Sequence, residues 1–427
     1  MRAPTPFSWL PDDLASLARK ALDAPMPRGR ERLAFTAPPA DLDKREVGGR
    51  RHVVFVAYYP YVSTAKKSLA LRDCGYRTTL LCLCAREDAA PERFFDQVHE
   101  AADYRALLAL LRGAAPAAVS VHVPHQMLAA IALEAAPDCP VILDVYDAQY
   151  FMHRDPAHPE VRLEGELLRR ADAVAHKMPP EAVAVLRRVH GFTARDALVH
   201  SLPCRAFFAA PTAEPGPPWK LAYAGGVMPR AVALSSGHEN QIFDPFIEGT
   251  AQAGLAFSMF VNQNARNMFF AEHAAYLAMA DRLPGFDFRP GLPFFALPGA
   301  LAGHHFGVLY DNVARSSYRE EIFAYNMSTK IFSYMEAGLP LLVYDRFAYI
   351  AGLVEEHGLG LVYSLDDIPG IARLIAAADY PALRAGVARF RENFELAANR
   401  PILETLYGPA SSDAGRHPGV CHGCNRP

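Results

Sequence analysis

The chain has 427 residues, long enough to bury two or three domain cores without disulfide or metal staples. Apolar residues make up 51% and charged residues 21%, which excludes a disordered or coiled-coil chain. With 43 Lys and Arg against 46 Asp and Glu the formal net charge is -3, so there is no overall basic field to hold a nucleic acid backbone and no nucleic acid partner is expected.

Residues 1 to 51 stand apart. Pro11 opens a helix whose Leu10, Leu14, Leu17, Ala18 and Ala21 share one face, and a Pro, Gly and Arg-rich stretch from Pro25 to Arg32 follows it. This reads as an appended helix and a linker. The helix is short and carries Asp12 and Asp13 beside Arg19 and Lys20, so its apolar face is expected on the protein's own surface, with peripheral membrane association as the other reading. No apolar run reaches the roughly 18 residues of a membrane span, and Pro4, Pro6, Pro11, Asp12 and Asp13 interrupt the start. Seven cysteines are an odd number, and Cys82 and Cys84 lie in the apolar run Leu80 to Cys84. The expectation is reduced core thiols in a cytoplasmic protein.

From Arg51 onward short apolar strands alternate with helical stretches, the pattern of parallel sheet units joined by helices. Strands are expected at His52 to Tyr58, Thr78 to Cys84, Ala118 to Val123, Val141 to Val145 and Ala171 to Ala175. Helices are expected at Thr64 to Cys74, Tyr104 to Arg112, His125 to Glu134, Glu164 to Arg170 and Pro180 to Val189. A proline-rich connector, 204 to 219, ends this first domain, 52 to 203. The pattern restarts in a second domain, 220 to 408. Its strands are expected at Lys220 to Ala224, Ala256 to Val261, Phe306 to Tyr310, Leu341 to Tyr344 and Leu361 to Tyr363, with helices between them. The tail, 409 to 427, reads as disordered. The expected fold class is α/β, two doubly wound Rossmann-like domains facing across a cleft, with ligands at the carboxyl ends of the strands.

Asn326 to Pro340, NMSTKIFSYMEAGLP, is the most informative stretch. Ser328 and Thr329 can cap a helix with Lys330 in its first turn, and Gly338 with Pro340 ends it before a strand. A lysine at the positive end of a helix macrodipole is unfavourable unless an anion joins it, and a diphosphate would supply that anion. Leu221 to Arg230, LAYAGGVMPR, runs a strand into Gly225 and Gly226, which permit close backbone approach, with Arg230 in reach of a phosphate. Neither a G-x-G-x-x-G fingerprint nor a GxxxxGK[ST] loop is present there.

Order and spacing of these pieces resemble the donor domain of glycosyltransferases of the GT-B fold, similar to the group 1, family 4-like superfamily. KIFSYMEAGLPLLVY looks like their Lys-to-Gly-x-Pro signature, LAYAGGVMPR like their opening strand and glycine turn, and Phe288 to Asn312 like the stretch that holds the nucleotide base. The first half is similar more diffusely, at HVVFVAYYP, DVYDAQ, RADAVAHKMPPEAV and LPC. The resemblance implies a metal-independent hexosyltransferase with a nucleotide diphosphate sugar as co-substrate and no other cofactor. It implies that Lys330 and Arg230 neutralise the diphosphate near Gly225 and Gly226. It places Ser333 where family members carry a ribose-binding glutamate, and Tyr325 where a second glutamate stands. Glu336 faces another side of the helix.

The first half should then hold the acceptor, a saccharide, a lipid-linked sugar or a protein. Tyr58, Tyr59, His122, His125, Asp144 and Asp147 stand at strand ends. Asp147 and His122 are the expected bases for deprotonating an acceptor hydroxyl in an inverting reaction. Two metal readings carry little. His122 and His125 straddle Pro124, and Cys421-x-x-Cys424, with His417 nearby, has no second cysteine pair. The alternatives to a transferase are a catalytically silent relative that binds a glycan or protein, and a nucleotide-sugar epimerase.

Overall fold

The computed structural model describes residues 5–24, 41–84, 90–135, 137–261 and 273–408. The strands are β1 (Glu46–Val47), β2 (Arg50–Ala57), β3 (Arg77–Cys82), β4 (Gln97–Glu100), β5 (Ala118–His122), β6 (Val141–Val145), β7 (Ala173–His176) and β8 (Arg195–Leu198) in the first half. In the second half they are β9 (Lys220–Gly225), β10 (Ala256–Val261), β11 (Phe286–Pro290), β12 (Phe306–Leu309), β13 (Leu341–Tyr344) and β14 (Gly360–Tyr363).

The first sheet runs β4-β3-β2-β5-β6-β7-β8, with β1 antiparallel on β2. The second runs β11-β10-β9-β12-β13-β14, parallel throughout. Both have the doubly wound order, in which the first strand of the unit lies centrally and the chain switches direction beside it. Val53 to Ala57 of β2 and all of β13 are buried, because helices cover both faces. Expected strands and observed strands agree in the centre of each sheet. The edge strands β4, β8 and β11 were not expected, since Gln97–Glu100 and Arg195–Leu198 are polar and carry little apolar signal.

Helix Asp12–Asp23 forms as its pattern predicts and buries Leu14, Ala15, Ala18 and Leu22. Leu17 departs from the expected face and is 49% exposed. The buried side packs into the first domain's core with Leu107, Leu111 and Ile131, while Trp9 Nε1 donates to Glu134 Oε2 at 2.9 Å. The apolar stripe is thus used internally. Among the described residues no helix is long and apolar enough to cross a membrane. The stretch from Pro25 to Arg32 and the tail with Cys421 and Cys424 lie outside the described residues.

The chain does not stay in its second unit. Helix Arg400–Tyr407 returns to the first sheet, where Leu403, Leu406 and Tyr407 join Val53 and Phe55, and Tyr407 Oη meets Ser120 Oγ at 2.7 Å. At the crossing, Lys66 Nζ donates to Glu336 Oε1 at 2.7 Å and to the carbonyl oxygens of Leu202 and Ser201 at 3.1 and 3.4 Å. The same Oε1 accepts the Cys204 amide at 2.7 Å. Lys66 lies on helix Val62–Asp73 of the first domain and Glu336 ends helix Lys330–Glu336 of the second, each 1% exposed.

Removing one member of a buried pair strands the other charge, which typically costs about 3–5 kcal/mol, whereas an apolar replacement of both is often neutral. Chemical denaturation should therefore show Lys66→Met and Glu336→Leu each destabilised by about 3 kcal/mol or more, and the double variant largely recovered. Single variants within about 1 kcal/mol of the parent would show that the pair does not hold the two domains.

Candidate active site in the cleft between the sheets

The carboxyl ends of the two sheets face one cleft. From the first domain come Tyr58, Tyr59 and Tyr61 after β2, His122 ending β5, Tyr146 and Asp147 after β6, and Lys177 after β7. From the second come Gly225 and Gly226 at the end of β9, Asp311 shortly after β12, and Lys330 opening its helix. A cavity of about 240 Å³ lies between them, and its walls include Asp147, Gly226, Asn240, Asp311, Ser328 and Lys330.

The opening in the second sheet has a local cause. β9 and β12 pair only at Phe306 with Leu221 and Gly307 with Ala222. Beyond that point Tyr334 Oη accepts the Ala224 amide at 2.9 Å and donates to the Val308 carbonyl at 3.0 Å. One phenol therefore satisfies backbone groups of both strands where the ladder stops. Gly307 makes room for that ring, since a Cβ there would stand 2.2 Å from Tyr334 Cγ.

Lys330 crosses beneath the glycine turn. A Cβ on Gly225 would stand 2.1 Å from Lys330 Cε, so the glycine is what lets the lysine arm pass. Its Nζ lies 5.6 Å from the Tyr223 ring centroid, and it forms no ion pair among the described residues. Burial pushes its ammonium below the usual lysine range and Lys177 adds to the effect, while Asp311 and Asp147 pull the other way. Lys330 and Lys177 thus share the site with Asp311 and Asp147.

Of the other expected donor contacts, Ser328 lines the cavity and is buried. Thr329 does not cap the helix as expected: it makes no side-chain cap, and its Oγ1 instead meets Tyr146 Oη of the first domain at 2.8 Å. Ser333 is buried and stands outside the cavity wall. Arg230 is exposed and paired with Asp244 at 2.7 Å, also outside that wall. Within the stretch expected to hold a base, Leu309, Tyr310 and Asp311 reach the cavity. Phe294 and Phe295 instead pack against Phe94 of the first domain.

The two expected bases differ in placement. Asp147 reaches the cavity and is paired with Lys177 Nζ at 3.2 Å. His122 is 1% exposed and lies behind that wall, its Nδ1 3.2 Å from Asp144 Oδ2, while Lys67 pairs with the other carboxylate oxygen. Burial lowers the imidazole's proton affinity, with Asp144 pulling it back. Asp144 itself is pushed up by burial and pulled down more strongly by Lys67 and His122, ending well below the usual carboxylate range. Asp144 is thus fixed as a charged positioning group.

The sequence gives no reason to single out Lys67, Tyr146, Asn240 or Asp311, and it passes over Lys177. Lys177 lies 3.5 Å from the centroid of the Tyr146 ring, and that tyrosine holds Thr329 beside Lys330. A lysine directly after the strand at Ala173–His176 was the one available sign, because strand ends on this side carry ligands.

The His122, His125, Asp144, Asp147 metal set does not assemble. His125 Nε2 faces Tyr61 Oη at 3.1 Å, while Asp144 and Asp147 are taken by lysines. Among the described residues His153, His158 and Glu160 offer ligand atoms within 4.8 Å of one another. Their two imidazoles are stacked at 3.7 Å with planes 13° apart, which aims their in-plane lone pairs along nearly parallel planes and not at one point.

Two doubly wound domains with facing carboxyl ends, an interdomain crossing and a returning C-terminal helix make up the GT-B fold of glycosyltransferases. Solved structures share this fold over 83–84% of the chain. The α,α-trehalose-phosphate synthase (UDP-forming) of Burkholderia vietnamiensis is 10% identical, with TM-score 0.55, covering 84% of this chain and 97% of that one. The Burkholderia xenovorans counterpart, solved with glucose-6-phosphate, is 13% identical at TM-score 0.55, covering 83% and 99%. A trehalose-6-phosphate structure from E. coli bound with UDP-2-fluoro glucose is 9% identical at TM-score 0.55, covering 83% and 98%. Residues 275–396 match the model of the glucosyltransferase 3-like C-terminal domain. No curated protein sequence matches the chain.

Asp311 carries a distinct pH signature. Burial raises its carboxyl to about 7, with Asn240 and Lys330 pulling down. Between pH 4 and 7 the folded protein keeps a proton that the unfolded chain has lost, so this group's stabilising contribution is complete below pH 4 and lost as pH rises through 7. Urea titrations at pH 4, 6 and 8 should show the parent losing up to about 4 kcal/mol relative to Asp311→Asn across that range. Parallel profiles for the two proteins would remove the buried acid from the account.

Proposed function

We propose that the protein is a glycosyltransferase that moves a sugar from a nucleotide diphosphate sugar, held by the second domain, to a hydroxyl of an acceptor held by the first. The observation that carries this reading is Lys330, a half-buried cation with no ion-pair partner among the described residues, in a cavity between the carboxyl ends of two facing doubly wound sheets. The match of residues 275–396 to a glucosyltransferase 3-like domain supports it.

In this scheme the acceptor oxygen forms a bond to the anomeric carbon as that carbon's bond to the diphosphate breaks. The bonding pair leaves on the diphosphate, and the hydroxyl proton passes to Asp147. Lys330 meets the charge that develops on the leaving group, which is where a preorganised cation lowers a barrier most. Lys177 pairs with Asp147 and lies close enough to Lys330 to lower its proton affinity. No metal and no further cofactor enter the scheme. His122, Asp144 and Lys67 form the buried wall behind Tyr146.

A second reading, binding without transfer, draws on Ser333, which stands where relatives of the signature carry glutamate and lies outside the cavity wall. Product formation that needs both a nucleotide sugar and an acceptor excludes it. An epimerase would convert the donor with no acceptor present.

Thermal unfolding against a panel of nucleoside diphosphates and their sugars reports the donor, because a ligand of the native state raises stability with concentration. With the donor in hand, Lys330→Ala should weaken donor binding or turnover by at least about tenfold, or 1.4 kcal/mol. A folded variant with unchanged affinity and rate removes Lys330 from the mechanism. Asp147→Asn should lower turnover by about 10²–10⁴-fold while donor affinity stays near that of the parent. Full turnover in that variant would exclude Asp147 as the proton acceptor.

A further inference from the structure

We infer that Glu164 is a positioning residue for the transfer step: from behind the cleft it fixes the turn that carries Asp147 into the cavity. The inference rests on the glycosyltransferase reading with Asp147 as proton acceptor, and it adds a residue that stands outside the cavity wall. Asp147 lies between the end of β6 and helix Gln149–Met152, and its side chain is 34% exposed, so packing alone does not fix it. The backbone on either side has to.

On the strand side, Asp144 is gripped by Lys67 and His122. On the helix side the chain has no local means of turning. The helix has four residues, too few to stand on its own, and its cap residue, Ala148, has no side-chain oxygen for the first amides. Glu164, buried on helix Pro159–Arg170, supplies what Ala148 lacks. Its Oε1 accepts the Gln149 amide at 2.7 Å and its Oε2 accepts the Tyr150 amide at 3.0 Å. Both are donors of the first helical turn, which has no partner within the helix, and a carboxylate accepts from them more strongly than a neutral oxygen.

Glu164 is itself held in place. His190 Nε2 donates to Oε2 at 3.0 Å, and the imidazole comes this close because residue 165 is glycine: a Cβ there would stand 2.9 Å from His190 Nδ1. Glycine is a poor helix former, so its place inside helix Pro159–Arg170 has this contact as its reason. Arg169 Nη1 donates to the His190 carbonyl at 2.6 Å, which closes helix Pro180–His190 against the carboxylate. The helix that Glu164 caps begins two residues after Asp147 and ends at Met152, which lines the same cavity. Its far end is tied to the second domain, where the Arg319 amide donates to the Phe151 carbonyl at 3.2 Å and Arg319 Nε to the His153 carbonyl at 2.7 Å. Glu164 is therefore the first-domain anchor at the end nearest Asp147. Its loss shifts Asp147 against Lys177 and leaves Ser328 and Lys330 of the second domain where they are.

The test uses the full chain and Glu164→Gln, which keeps the size of the side chain but turns an NH2 group toward one of the two amides. Glu164→Asp, which keeps the carboxylate on a shorter arm, serves if Glu164→Gln does not fold. The first readout needs no ligand: the coupling between Asp147 and Lys177, from urea unfolding of Asp147→Asn, Lys177→Met and the double variant, in the parent and in the Glu164→Gln background. A general loss of stability adds equally to all four proteins and cancels, so the coupling changes only if the pair moves. It should fall to about half or less. The second readout is calorimetry with nucleoside diphosphate sugars and release of nucleoside diphosphate with glucose offered as acceptor. Because a misplacement of about 1 Å costs on the order of 10²-fold, Glu164→Gln should lose at least about tenfold in kcat with nucleotide-sugar affinity within about twofold of the parent. Unchanged coupling, or a parent-like kcat in the folded variant, overturns the anchor and leaves the transferase reading in place. A parent that binds no nucleotide sugar and releases no nucleoside diphosphate overturns both.

Discussion

The cleft depends on the buried contact between Lys66 and Glu336. Glu336 ends the short helix that Lys330 begins, so the lysine that faces the cavity and the glutamate that meets the other domain share two turns of backbone. Through Oε1 that carboxylate holds both the Lys66 ammonium and the Cys204 amide of the crossing segment. Burial pushes its carboxyl up and Lys66 pulls it down, so the pair survives in an apolar setting only because each charge has its partners in place. Domain orientation and the position of Lys330 are therefore one structural fact.

The same economy appears across the cleft. Tyr146 of the first domain bonds to Thr329 and carries Lys177 over its ring, and Lys177 pairs with Asp147. A chain of contacts thus runs from the Asp147 carboxylate of the first domain to the residue next to Lys330. In the second domain Gly225 and Gly307 act by lacking a side chain, one giving way to the Lys330 arm and the other to the Tyr334 ring. Charge is concentrated here at a cost in desolvation, which polar sites commonly accept when a ligand supplies the missing partner.

Hydrophobic periodicity is a strong guide where both faces of a strand are covered and a weak one at edges. β2 from His52 on, β5, β6 and β13 are legible because continuous burial demands continuous apolar sequence. β4 and β8 are half exposed and polar, so nothing local separates them from loops. Leu17 shows the converse, an apolar residue in the right periodicity that the core does not use. In the site, Lys330, Ser328, Gly226 and Asp147 were legible from helix ends, glycine turns and strand ends, and the structure brings these four to one cavity. Arg230 was chosen on reach alone, and an ion pair with Asp244 occupies it.

The sequence by itself determined two doubly wound units, the proline-rich connector between them and the Lys330 to Pro340 motif, because periodicity, turn chemistry and capping act over a few residues. Only the tertiary structure decided which lysines are buried, where the last helix returns, and which oxygens face the cavity. Lys66 and Lys67 are neighbours in one helix, yet one bridges to Glu336 and the other to Asp144, 270 and 77 residues away. Such partners are set by how the sheets twist and where the chain crosses between them, and no spacing along the sequence records that.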